Sequence, residues 1–205
     1  MIKAIVFDFG GVICYPPSAQ TRAELERLTG MPYDKLEVIN RQYRDEWDRG
    51  TYDGQGYYRY MLPKAGLNPD DETLAKIIQT DLDGWKNLDP GTVQLMRDIK
   101  VAGCTLGILS NMPRDFLTWA RDEGGIPIFT EADVGIFSCE HHIIKPEPEI
   151  YMLLQERIGC ACNEIVFFDD VDNNINAACK LGMRGLLWAD SKAARSQLQT
   201  MGLEL

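Results

Sequence analysis

Four short, almost uninterrupted apolar runs punctuate the chain: residues 2–8 (IKAIVFD), 104–109 (CTLGIL), 164–168 (EIVFF) and 184–188 (RGLLW). Runs of this length without polar alternation predict strands buried on both faces, as in a parallel sheet. Between them apolar residues recur at helical spacing, at about 91–101, 113–122, 147–157 and 172–181. From residue 89 onward strand and helix alternate, which predicts a doubly wound, Rossmann-like α/β domain with right-handed crossovers. In such a sheet, ligands gather at the carboxyl ends of the strands.

Residues 15–88 break the alternation. They hold helical patterns at 20–29, 33–48, 54–65 and 71–85 and no convincing strand. Tyr15-Pro16-Pro17 and Leu88-Asp89-Pro90 punctuate the two edges. The expectation is an α/β core of residues 1–14 and 89–205, with 15–88 inserted as a small all-helical cap that closes over a site. Of its aromatics (Tyr43, Trp47, Tyr52, Tyr57, Tyr58, Tyr60 and Trp85), most are expected in the cap's own core. One or two facing the crevice would suit a sugar or another flat, partly apolar group.

Composition narrows the partners. The hydrophobic fraction of 45% and charged fraction of 25% are ordinary for a globular protein. A formal net charge of −10 disfavours nucleic acid and anionic membranes. A small anion stays bindable where a metal and a lysine reverse the potential locally. No stretch has the length of a membrane span. The N-terminal run meets Asp8 too early for a signal peptide and reads as a buried strand. The six cysteines (14, 104, 139, 160, 162 and 179) are scattered, as in reduced cytoplasmic proteins, and Cys160-x-Cys162 lacks the second pair of a soft-metal site. Oligomeric state leaves no trace in the pattern.

Candidate chemistry lies at the predicted strand ends. In F-D-F-G-G-V-I (7–13), Asp8 ends a buried strand, and Gly10 and Gly11 let backbone amides approach an anion. I-L-S-N (108–111) places Ser110 and Asn111 at the next strand end, where turn chemistry alone would also explain them. In I-K-P-E-P-E-I-Y (144–151), Lys145 precedes Pro146, which suits the first turn of a helix. V-F-F-D-D-V-D-N-N (166–174) ends a strongly apolar strand in two adjacent acids, a costly arrangement without a cation. Asp170 could instead cap the following helix, a role that leaves Asp169 unexplained.

Taken in order, the four motifs resemble the haloacid dehalogenase superfamily over nearly the whole chain. The continuation D-D-x-x-x-N-x-x-A-A-x-x-x-G-M, from Asp169 to Met183, is similar to the branch of sugar-1-phosphate phosphatases and epoxide-hydrolase-fused phosphatase domains. The resemblance implies a phosphatase for a small phosphorylated metabolite such as a sugar phosphate. It implies Asp8 as nucleophile, Ser110 as phosphate-binding hydroxyl, Lys145 as the lysine that orients Asp8, and Asn111 and Gly11 as further substrate contacts. Mg²⁺ would be held by Asp8, Asp169, Asp170 and the Gly10 carbonyl, and an aspartyl-phosphate would form and hydrolyse.

One departure stands out. Most phosphatases of the superfamily carry a second aspartate two residues after the nucleophile as general acid–base; here the position is Gly10. Such a group is worth roughly 10²–10⁴-fold in rate. A substrate with a good leaving group, a proton donor elsewhere (the cap or His141) or a slow protein would each account for its loss. His141 and His142 read either as surface loop residues or as phosphate contacts. Two other classes stay open: a 2-haloacid dehalogenase using Asp8 on carbon, and a catalytically weak phospho-ligand-binding protein.

Overall fold

The first strand of the chain lies at the centre of the sheet. In the computed structural model, which describes residues 1–205, β1 (Ala4–Phe7) pairs in parallel with β2 (Thr105–Ser110) on one side and β4 (Ile165–Asp169) on the other. β3 (Val134–Phe137) and β5 (Arg184–Leu187) complete a five-stranded all-parallel sheet of order β3-β2-β1-β4-β5. Alternate side chains feed two cores. Ile5, Phe7, Ile108 and Phe168 pack under α6 (Pro90–Val101) and α12 (Ser191–Thr200). Ala4, Val6, Leu109 and Phe167 pack under α10 (Pro148–Ile158) and α11 (Asp172–Lys180). Helices thus cover both faces, and the domain is a doubly wound α/β fold.

Register decides what the sheet presents. Phe7 lies opposite both Ile108 and Phe168, so Asp8, Ser110, Asp169 and Asp170 emerge together at the carboxyl edge. The Asp8 N–H continues the ladder to the Phe168 carbonyl at 2.9 Å.

Between β1 and α6 the chain forms five α-helices, a 3₁₀-helix (Leu62–Ala65) between the last two, and no strand. The α-helices are α1 (Ala19–Thr29), α2 (Tyr33–Tyr43), the short α3 (Asp45–Asp48), α4 (Gly54–Met61) and α5 (Asp71–Gly84). They bury a core of their own around Trp47, Tyr57, Tyr58, Met61 and Ile77. The chain leaves and re-enters at one place: Tyr15 N–H donates to the Asn87 carbonyl (2.8 Å) and Asp89 N–H to the Ile13 carbonyl (2.9 Å). Asp89 also caps α6 through Gly91 N–H at 2.9 Å.

Several details differ from the sequence pattern. The 33–48 helix divides after Tyr43, and the 113–122 helix is α7 (Arg114–Leu117) followed by a π-helical turn, Thr118–Asp122. The edge strand β3 escaped the pattern because its four residues (VGIF) are only half apolar-buried and contain Gly135. The one-turn helices α8 (Ile128–Glu131) and α9 (Ser138–His141), together with α12, also lacked a clear period. No helix is long and apolar enough to cross a membrane.

Candidate active site

Lys145 organises the strand ends. It is 3% exposed, and its Nζ lies 2.7 Å from Asp8 Oδ1 and 2.6 Å from Asp169 Oδ2. Burial works against its charge, but the two carboxylates outweigh it and hold the ammonium above its ordinary range. The sequence places Pro146 in a first helical turn; α10 instead begins at Pro148, and Lys145 sits in the turn before it, joined to Pro146 by a cis peptide bond. Asn111 fixes that turn: its side chain donates to the Lys145 carbonyl (3.0 Å) and accepts from the Lys145 N–H (2.8 Å). The Asn111 carboxamide is thereby committed to positioning Lys145, which leaves the main chain at Asn111 as its means of contacting substrate.

Asp169 is fully engaged. Oδ1 accepts from Val171 N–H (2.8 Å) and Asn174 Nδ2 (3.0 Å), and Oδ2 from Asn174 Nδ2 (3.0 Å) as well as Lys145. Its neighbour is not. Asp170 accepts no hydrogen bond from another residue, and α11 starts from Val171 without a side-chain cap, so capping does not explain Asp170. Asp8 Oδ1 also accepts from Phe9 N–H at 2.6 Å, which leaves Oδ2 free. One oxygen from each of Asp8, Asp169 and Asp170 lies within 4.8 Å of the others.

This crowding has an electrostatic cost. Burial, opposed by Lys145 and reinforced by Asp169 and Asp170, pushes the Asp8 carboxyl up to about 7. Burial and the charge of Asp169 raise Asp170 as well. Gly11 has a specific steric role: at φ +74°, a Cβ there would stand 2.5 Å from Asp170 Oδ2. The Ser110 hydroxyl is buried with one weak contact, 3.4 Å to the Asn111 carbonyl, beside Asp8 and Lys145 in the crevice lining.

The opposite wall comes from the inserted helices and encloses a cavity of about 230 Å³. Arg44 donates from Nε to both oxygens of Asp48 (3.1 Å each) and stacks over Trp47, with its centre 5.2 Å from the ring. Asp81 accepts from the Tyr58 hydroxyl at 2.8 Å. Burial raises both Asp48 and Asp81, and Arg44 opposes the rise. Trp47 and Trp85 are the aromatics of the segment that reach the cavity; Tyr43, Tyr52 and Tyr60 stack together away from it. His141 and His142 do not line it. His142 Nδ1 instead lies 2.8 Å from the Arg49 carbonyl, joining the two parts of the chain.

No motif marks Arg44, Asp48 or Asp81: Asp48 and Asp81 sit on helix faces like any core or surface position, and Arg44 lies in the turn between α2 and α3. Asn174 was visible as the N of D-D-x-x-x-N, one turn into α11, and that spacing is what aims its amide at Asp169.

The sequence profile of haloacid dehalogenase-like hydrolases matches residues 2–182. The chain is 29% identical over 203 residues to a sesquiterpene phosphatase of Aspergillus oryzae, covering 97% of this chain and 96% of that one. It is 24% identical to bifunctional epoxide hydrolase 2 of Mus musculus, spanning 97% of this chain but 38% of that protein. It is also 26% identical to an (S)-2-haloacid dehalogenase of Pseudomonas putida, over 88% of this chain and 82% of that one. The fold superposes on a haloacid dehalogenase family enzyme of Bacteroides thetaiotaomicron, crystallised with magnesium and inorganic phosphate, at a TM-score of 0.71 and 17% identity, covering 92% and 95% of the two chains. Motif order, parallel sheet and profile agree, and the chain belongs to the haloacid dehalogenase-like hydrolase family.

Proposed function

We propose that the chain is a Mg²⁺-dependent phosphatase of a small phosphorylated metabolite, acting through an aspartyl-phosphate on Asp8. The observation that carries this reading is the convergence of Asp8, Asp169 and Asp170 around a single lysine at the strand ends. Three acids and one lysine leave negative charge to be neutralised where the buried Asp8 and Asp169 meet the exposed Asp170. Oxygen-only donors this close together fit a hard divalent cation such as Mg²⁺. Asp170, whose carboxylate is free, would hold it with the Gly10 carbonyl and the Asp8 oxygen that does not attack phosphorus, while Asp169 adds its charge from behind Lys145. When bound, the cation supplies charge stabilisation to the phosphoryl oxygens.

The remaining work falls to the chain itself. Lys145 holds Asp8 Oδ1 and leaves Oδ2 to attack phosphorus, so the nucleophile is oriented before substrate arrives. Ser110 and the main chain at Gly11 and Asn111 would receive the other phosphoryl oxygens as charge develops. Attack forms the Asp8–phosphorus bond and releases the alcohol; water then cleaves the aspartyl-phosphate. Residues 15–88 would act as the cap that keeps bulk water out. The small cavity with its indole and phenyl walls supports a sugar phosphate or a similarly small ester with an apolar face. The six cysteines, all free, support a reducing compartment such as the cytoplasm.

The test is a panel of phosphate esters with Mg²⁺ or chelator, on wild type and Asp8→Asn, with halide release from 2-haloacids followed in parallel. Mg²⁺-dependent phosphate release that is lost in the variant supports the proposal. Metal-independent halide release would replace it with the dehalogenase reading, which the Pseudomonas relative keeps in view. Binding of phosphate esters without turnover would leave a ligand-binding protein.

A further inference from the structure

The space over Gly10 is filled by an indole. A Cβ built on Gly10 would lie 3.3 Å from Cζ3 of Trp85 and 3.8 Å from its Cε3. A longer side chain at position 10 reaching into the crevice therefore meets the six-membered edge of that ring. Trp85 cannot easily yield. It ends α5, its N–H bonds back to the Leu82 carbonyl, and two residues later Asn87 is tied to Tyr15 where the chain re-enters the sheet. Its ring packs against the core on that face of the sheet, with the Arg44 guanidinium 5.9 Å from its centre. The buried Nε1–H makes no hydrogen bond of normal geometry, so packing and the Arg44 contact hold the ring.

The other acids that line the crevice are engaged in hydrogen bonds or ion pairs of their own. Asp48 gives both oxygens to Arg44, Asp81 accepts from Tyr58, and Glu37 pairs with Arg41 at 2.8 Å. Both histidines lie outside the cavity. An indole has no proton to exchange in the working pH range.

We infer that Trp85 is a specificity-determining residue: it takes the place of a proton donor beside Asp8 and restricts the site to phosphate esters whose alcohol leaves without protonation. Aryl, enol, anomeric and acyl phosphates are such esters; simple alkyl phosphates are not. The inference rests on the proposed phosphatase reading. In the step, the Asp8 Oδ2–phosphorus bond forms while the bond from phosphorus to the leaving oxygen breaks. The electron pair departs with that oxygen, which collects its proton from solvent. In the second step, water attacks phosphorus and the bond from phosphorus to Asp8 Oδ2 breaks, so that Asp8 leaves as carboxylate; one proton of the water stays on the released phosphate and the other is shared between that phosphate and solvent.

The test is kcat/KM across aryl and alkyl phosphates of graded leaving-group pKa, with saturating Mg²⁺. The proteins are wild type, Trp85→Phe, Trp85→Ala, Gly10→Asp and the double variant Trp85→Ala/Gly10→Asp. Wild type and Trp85→Phe are expected to lose rate steeply as leaving-group pKa rises. Gly10→Asp alone is expected to fall about tenfold or more on every ester, because the new carboxyl must displace the ring. In the double variant, with room for the acid, alkyl phosphates should gain roughly 10²–10⁴-fold over Trp85→Ala while aryl phosphates change little. If the alanine cavity unfolds the chain, Trp85→Leu/Gly10→Asp replaces it. A flat wild-type slope, or a Gly10→Asp variant that matches wild type with Trp85 in place, overturns the inference and leaves the phosphatase reading standing. A wild type that releases phosphate from no ester overturns both.

Discussion

Floor and wall of the crevice use the same device to different ends. On the floor Lys145 is buried between Asp8 and Asp169; on the wall the half-buried Arg44 pairs with the buried Asp48, with Asp81 near by. Each places a cation among carboxylates that burial alone would neutralise. They differ in what is left over. The wall acids are occupied by Arg44 and Tyr58. The floor keeps Asp8 Oδ2 and the whole Asp170 carboxylate without a protein partner. Unused polar capacity opening from a buried floor toward solvent is where a ligand is wanted; used capacity only holds the fold together.

Asp8→Asn strains this comparison hardest. An amide is no nucleophile, so phosphate release should fall by roughly 10⁴-fold or more. Stability should move the other way. The folded chain holds the Asp8 proton up to about pH 7, whereas an unfolded carboxyl loses it near its ordinary value. The cost of ionising Asp8 is therefore absent below that ordinary value, grows as pH rises and is complete above about pH 7. Without Mg²⁺ at about pH 8, thermal melting should place the variant at or above wild type. A lower melting temperature would make the Asp8–Lys145 pair a net stabiliser, and floor and wall would then be alike.

Lys145→Met and Arg44→Met come next. Each strands buried carboxylates, at a cost of about 3–5 kcal/mol in urea unfolding. They should part in kinetics. Lys145→Met should also lose about 10²–10³-fold in kcat, whereas folded Arg44→Met should stay within about tenfold of wild type. Equal losses of kcat would draw the wall into the chemistry.

The contrast also explains what the sequence made legible. Asp8, Ser110 and Asp169-Asp170 end apolar strands, and parallel register brings such ends together without any long-range guess. Lys145 was visible by its motif, but its partnership with Asn111 was not, because turn-to-turn hydrogen bonds follow no period. Asp48 and Asp81 lie on helices, and Arg44 at the break between two, where the sequence shows only amphipathicity. Which polar position faces inward depends on how α2, α3 and α5 pack. Gly10 was conspicuous as a missing acid; the residue filling its place, Trp85, lies 75 positions away by its number and meets it only in the fold. The strand β3 was lost for a local reason, a glycine in a four-residue edge strand.

A smaller effect concerns the floor alone. If a cation joins Asp8 and Asp170, it favours the carboxylate form of Asp8. The acid limb of kcat/KM should stand near pH 7 at low Mg²⁺ and move to lower pH as Mg²⁺ rises. A shift of one unit corresponds to about 1.4 kcal/mol of preference for the ionised form. Asp170→Asn should blunt the movement. A limb that ignores Mg²⁺ would place the cation away from Asp8.

The smallest effect asks whether wall and floor move relative to each other. Residues 48–50 are stitched to the stretch that leads into Lys145. Ser138 Oγ donates to the Asp48 carbonyl and accepts from Met112 N–H at 2.9 Å, and Arg49 donates to the His142 carbonyl at 3.0 Å and pairs with Glu147. The Arg49–Glu147 pair is 23% and 37% exposed, so solvent screens it and its loss in Arg49→Ala should cost about 1 kcal/mol or less. For a chain of this size that lowers Tm by about 2–4 °C at most. The kinetic reading is the sharper one. If the inserted helices close over bound substrate, a weaker stitch should raise KM a few-fold and leave kcat unchanged, because only the closed population is diluted. A lowered Tm beside an unchanged KM would make this joint rigid. The wall would then shape the cavity without gating it, and specificity would rest on residues such as Trp85 instead of on closure.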